Sequence, residues 1–192
     1  MAKRIGNKKS SKRKGTPGFV ITLMVIGIFV ILGSVAYFLL TRMGSNEVSY
    51  QIPQVGENQI GVFLSGRYVQ SINSTDKLQR VIEEINTTYD ISSIRIIMFG
   101  SLTCPHCKAM DAFFSENYSG IYRVIWITSG SNSSLNWFVE IASEEVQQGI
   151  PEQYAGAVPH TLILDNSSRL RAIVIGEITD KGFWDLLLGK MG

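Results

Sequence analysis

The spacing of apolar and polar positions divides the chain into one membrane-length run and a series of short alternating elements. From Phe19 to Leu40 apolar residues are almost unbroken, and no charge falls between Lys14 and Arg42. Beyond that the runs shorten. Strand patterns occupy Ile60–Leu64 and Tyr68–Ile72, on either side of the turn pair Ser65-Gly66, and then Ile94–Phe99, Ile121–Thr128, His160–Asp165 and Leu170–Ile175. Ile94–Phe99, apolar but for Arg95, suits a strand buried on both faces. Helical spacing marks Thr75–Tyr89, where Leu78, Val81, Ile82 and Ile85 form one stripe behind a Ser74 or Thr75 cap. It recurs after Pro105 (Ala109, Met110, Phe113, Phe114), over Leu135–Gln148, and over Thr179–Leu188, with Phe183, Trp184, Leu187 and Leu188 inward. With the first hairpin counted as one unit, the order from Ile60 is β-α-β-α-β-α-β-β-α. It predicts an α/β domain over 60–192 with a mixed central sheet covered by helices on both faces.

Charge sharpens the division. Lys3, Arg4, Lys8, Lys9, Lys12, Arg13 and Lys14 crowd the first residues, whereas the rest sets 11 of the 18 basic residues against all 16 acids. Basic residues beside a membrane-length run follow the positive-inside rule. They lack the interleaved aromatics of a nucleic-acid arm, so no nucleic-acid partner is expected. Residues 1–18 are read as a cytoplasmic tail and 19–41 as a single transmembrane helix, whose 22-residue run Phe19–Leu40 rises about 33 Å. Residues 42–59, with Gly44, Pro53 and Gly56, are read as a tether. A cleaved signal peptide ending near Ser34-Val35-Ala36 is the competing interpretation, but Tyr37-Phe38-Leu39-Leu40 continues the run. Either way the domain lies outside the cytoplasm. Five sequons, at Asn73, Asn86, Asn117, Asn132 and Asn166, fall beyond the apolar run and agree with that placement.

The chemistry sits in Cys104-Pro105-His106-Cys107, which holds the only two cysteines. Strand pattern gives way to helix here, and Pro105 suits the first helical turn. Open N–H groups at a helix start favour a thiolate, the attacking species in disulfide exchange, at Cys104. His106 adds a polar or cationic neighbour that tunes the sulfur. Cys107 lies one turn further, so the two sulfurs can meet without moving the backbone. Cys104 is therefore assigned as the exposed nucleophile and Cys107 as the more buried resolving thiol. Two alternatives stand beside this. A static disulfide at this spacing would close a very short loop and constrain the unfolded chain little. Metal binding would draw on Cys104, Cys107, His106 and His160, but there is no second cysteine pair. No cofactor is expected. Trp126, Trp137 and Trp184 read as core, Lys108 and Asp111 as surface charges, and Ser129-Gly130-Ser131 is too short for a phosphate loop.

From about residue 60 to 190 the element order and dithiol resemble the thioredoxin superfamily. Gln153-Tyr154-Ala155-Gly156-Ala157-Val158-Pro159 looks like the approach to that family's cis-proline strand, and Gly176 falls where a glycine often follows the last strand. Cys-Pro-His-Cys, with Val before the proline, resembles DsbA-type disulfide oxidases. The resemblance implies a thioredoxin-like fold, a cis Pro159 beside the dithiol, and a Val158 backbone that pairs with an extended substrate segment. It departs in three ways. Too few residues separate the Ile121–Thr128 strand from Pro159 for an inserted helical domain. Met98 stands six residues before Cys104, where thioredoxins carry a buried acid. His160 follows Pro159, either tuning the dithiol or lying on the surface at a strand start.

The expectation is a membrane-anchored, extracytoplasmic thiol–disulfide oxidoreductase that forms disulfides in exported, cysteine-containing proteins. It would be reoxidised by a membrane redox partner. The alternatives are a reductase or isomerase, as in cytochrome assembly, and a copper or zinc carrier using the same cysteines.

Overall fold

The computed structural model describes residues 50–127 and 132–191. The tail 1–18, the span 19–41 and residues 42–49 of the stretch 42–59 lie outside them. No helix among the described residues is long and apolar enough to cross a membrane.

Among the described residues, six strands and five helices follow one another as β1 (Gln59–Leu64), β2 (Arg67–Asn73), α1 (Asp76–Tyr89), β3 (Ile96–Gly100), α2 (Pro105–Asn117), β4 (Tyr122–Trp126), α3 (Asn132–Gln147), α4 (Glu152–Ala155), β5 (His160–Leu164), β6 (Leu170–Ile175) and α5 (Lys181–Met191). They build one mixed sheet in the order β2-β1-β6-β5-β3-β4. Neighbours are parallel between β1 and β6 and between β3 and β4, and antiparallel elsewhere. The α/β architecture read from the sequence is present and is compatible with a thioredoxin-like fold.

Local chemistry explains the element ends. Ser65 and Gly66 both have positive φ (46° and 82°), which a two-residue hairpin between right-twisted strands requires. Thr75 caps α1 by accepting the Leu78 N–H at 3.3 Å, and its hydroxyl also donates to Glu144 of α3 at 2.9 Å. Asp180 caps α5 through the N–H groups of Gly182 (2.8 Å) and Phe183 (3.4 Å). The helix α4 has no counterpart in the apolar pattern. It is a single turn started by Pro151, too short to show a period.

The sheet separates two cores. On one face α1, α3 and α4 pack Leu78, Val81, Ile82, Ile85, Trp137, Phe138, Ile141 and Ala155 against Ile97, Phe99, Leu162 and Ile173. On the other, α2 and α5 pack Met110, Phe114, Phe183, Trp184 and Leu187 against Ile96, Met98, Ile163 and Val174. All five residues of β3 and of β5 are buried, as continuous runs covered from both sides must be. The second core also takes in Ile52, and Tyr50 stacks edge-on against Phe183 while its hydroxyl donates to Asp180 at 2.8 Å. Residues from Tyr50 onward therefore pack on the domain.

One consequence of the register positions the chemistry. Phe99 at the end of β3 faces His160 at the start of β5, which faces Ile175 at the end of β6. The loops after β3, before β5 and after β6 therefore meet at one pole of the sheet.

Candidate active site

Three short segments converge at that pole: Gly100–Cys107, Ala157–His160 and Gly176–Ile178. Gly100 allows the closest approach. A Cβ there would lie 3.0 Å from the Trp126 ring and 3.3 Å from the Cys107 Cβ, so only glycine lets α2 settle onto β3 with Trp126 alongside. The next residues turn tightly. The Cys104 N–H donates to the Ser101 carbonyl at 3.0 Å, and the Ser101 and Thr103 hydroxyls share a 2.9 Å hydrogen bond.

Cys104 is the N-cap of α2. Its backbone is extended (φ −87°, ψ 116°), and its Sγ accepts the Cys107 N–H at 3.3 Å, the place usually taken by a serine or aspartate oxygen. Pro105 follows at the first helical position, where no N–H is needed. The Cys104 side chain is half-buried and its Sγ lies 3.9 Å from the Val158 carbonyl oxygen, a weak thiol hydrogen bond. Leu102 and Pro105 are exposed and Val158 is half-buried, so the sulfur has an apolar rim.

Cys107 differs in every respect. It is fully buried. Burial, reinforced by the hydrogen bond to Cys104, pushes its thiol up to about 12, so it stays protonated at neutral pH. Both cysteines are free thiols here, one reachable and one sealed.

The Val158–Pro159 peptide is cis, and Pro159 is buried. The Pro159 carbonyl accepts the Gly176 N–H at 2.9 Å, and Gly176 has φ +102°, with a Cβ there 3.0 Å from the Ser65 Oγ. That position needs glycine on both counts. The candidate residues Cys104, Cys107, Val158 and Pro159 are thus brought together.

The two histidines turn to partners that sequence reasoning missed. His106 is exposed, and its Nδ1 lies 2.6 Å from Glu177 Oε2, just after Gly176. His160 is not the surface residue offered as one reading: it is wholly buried, with Nε2 2.9 Å from Glu145 Oε1 and its ring edge-on to Phe138. Both partners of His160, Glu145 and Phe138, lie on α3, whereas the dithiol helix covers the opposite face of the sheet. The four ligands proposed for a metal are therefore not assembled. Among the described residues no group of three or more His, Cys, Asp or Glu is placed to hold a metal ion. A signal for Glu145 was present in the sequence: it stands at helical spacing from Phe138 and Ile141, a charge in an apolar stripe.

The remaining candidates stay in ordinary surroundings. Met98 is buried in the second core. Trp137 and Trp184 are core residues, and Trp126 is partly buried. Of the sequon asparagines, Asn73 and Asn166 are exposed at a strand end and a turn. Asn86 is also exposed but accepts the Ile91 N–H at 3.0 Å, and Asn117 donates its amide to the Phe113 carbonyl at 2.9 Å. The side chain of Asn132 lies outside the described residues. Comparison of the chain with protein-family models, with curated proteins and with solved structures gave no match.

Proposed function

We propose that the protein is a thiol–disulfide oxidoreductase of thioredoxin-like fold that oxidises cysteine pairs in other polypeptides. The observation that carries this reading is the contrast within the dithiol. A reachable sulfur sits at a helix N-terminus against the Val158 carbonyl, with a sealed, protonated thiol one turn behind it.

In the working form Cys104 and Cys107 share a disulfide. A client thiolate attacks the Cys104 sulfur, the Cys104–Cys107 bond breaks, and Cys107 takes up a proton. The client is now held to Cys104 by a mixed disulfide, its backbone extended along Val158. A second client thiolate then attacks the client sulfur of that bond. The client leaves with a disulfide and Cys104 is left reduced. Two electrons and two protons have passed from client to dithiol. A separate oxidant, proposed to be a membrane redox partner, returns the pair to its disulfide.

Met98 supports this direction over reduction. A reductase needs Cys107 to lose its proton and attack the mixed disulfide. The position six residues before Cys104 offers Met98 rather than an acid to take that proton.

Residues 1–41 supply the proposed setting. The basic tail and apolar run support a single membrane anchor with the tail in the cytoplasm and the domain outside, and the sequons support an exposed surface. Equilibration with glutathione buffers tests the direction. A potential well above the thioredoxin value of about −270 mV is expected, and one near it would overturn the oxidase reading.

A further inference from the structure

We propose that Glu145 and His160 are a positioning pair that holds the Val158–Pro159 segment against Cys104 and thereby sets the affinity for a client polypeptide. The proposal rests on the thiol-exchange reading above and adds residues that touch neither sulfur.

Both side chains are 0% exposed, and they meet through the 2.9 Å Nε2–Oε1 contact. Phe138 stands against the imidazole at 5.5 Å and 88°. His160 Nδ1 and Glu145 Oε2 have no hydrogen-bond partner among the described residues. A sealed polar pair with two unpaired atoms is a poor source of stability, since apolar side chains of similar volume commonly do as well or better. What it supplies and they do not is direction.

Its place in the fold says what is being directed. Only Gly156, which closes α4, and the segment Ala157, Val158 and Pro159 lie between α4 and β5. The Ala157 N–H is tied to the Tyr154 carbonyl at 2.9 Å, and the Pro159 carbonyl to the Gly176 N–H at 2.9 Å. His160 comes next, its backbone set between Phe99 and Ile175 and its ring tied across the first core to α3. The short segment is thus fixed from α4, β6 and α3, and its middle carbonyl meets Cys104 Sγ at 3.9 Å. A client extended along Val158 brings its sulfur to Cys104 only if that segment is in place. A small dithiol needs no such alignment.

The test uses full-length protein with oxidised glutathione as terminal oxidant, and follows oxidation of a two-cysteine peptide and of dithiothreitol. Glu145→Leu alone strands a buried imidazole and is prone to misfold. The informative variant is therefore the double Glu145→Leu/His160→Phe, which removes both polar partners. It is expected to fold with thermal stability equal to or above wild type, to oxidise dithiothreitol unchanged, and to show a peptide KM raised on the order of tenfold to a hundredfold. Glu145→Gln, which keeps an acceptor oxygen for the ring, is expected to leave that KM within about twofold. A folded double variant with wild-type peptide KM would overturn the proposal, as would a Glu145→Gln protein that loses peptide affinity while folded. Wild-type protein that oxidises neither substrate would instead remove the thiol-exchange reading, and this proposal with it.

Discussion

The two ends of β5 each place an electron-rich side chain against backbone N–H groups, and they use it in opposite ways. At the far end, Asp165 in the β5–β6 turn accepts the N–H groups of Ser167 (2.8 Å) and Arg169 (3.0 Å) and the Arg169 guanidinium (3.1 Å). Burial pushes its carboxyl up, but those N–H groups and the guanidinium outweigh it and hold the group below its ordinary value. At the near end, Cys104 takes one N–H at 3.3 Å and faces a carbonyl at 3.9 Å. A saturated acceptor closes a turn. An acceptor given one long bond and a route to solvent remains available for chemistry.

That contrast breaks most completely at the sulfur. Cys104→Ser keeps a capping oxygen, so the domain should fold as before while thiol exchange falls to background, measured by oxidation of a reduced peptide. Asp165→Ala should do the reverse. Loss of three hydrogen bonds predicts about 1–3 kcal/mol of destabilisation in urea unfolding, with exchange per folded molecule unchanged. Its pH dependence has a definite sign. The folded carboxyl titrates below its ordinary value of about 3.9, so its contribution is complete above that value. The contribution is lost as pH falls through the lower folded one. Acid unfolding of wild type but not of Asp165→Ala should therefore carry this component. Gly100→Ala tests both sides at once. Its Cβ must displace Trp126 or Cys107, which predicts about 1–3 kcal/mol of destabilisation and slower closure of the Cys104–Cys107 bond. The smallest effect is expected at His106. Its partner Glu177 is exposed, and exposed pairs contribute up to about 1 kcal/mol, so Glu177→Gln should change the exchange rate by about fivefold at most.

Much of this arrangement was legible in the sequence because it depends on local chemistry. The strands and the longer helices announce themselves by period, α1 by its Thr75 cap, and the dithiol by Cys-Pro-His-Cys at a strand-to-helix change. What was not legible depends on register. Nothing local tells His106 from any exposed histidine until β3 and β6 are known to end at the same pole, which brings Glu177 to it. His160 follows the same logic. One residue along a strand decides whether a side chain faces the dithiol helix or α3, and His160 faces α3 while Thr161 faces the other way. The single turn of α4 escaped because four residues carry no periodicity. The resemblance to thioredoxins rests on the motif and the sheet, and Met98 marks where the chain departs from it.

The central claim is that a half-buried but reachable Cys104 passes a disulfide held with buried Cys107 to another polypeptide. Mass spectrometry of oxidised protein mixed with an equimolar reduced two-cysteine peptide tests it most directly. The account predicts that the peptide loses two hydrogens as the protein gains two, and that brief acid quenching captures a mixed disulfide through Cys104 alone. A peptide that stays reduced while Cys104 and Cys107 stay paired, or a mixed disulfide found on Cys107, would contradict it.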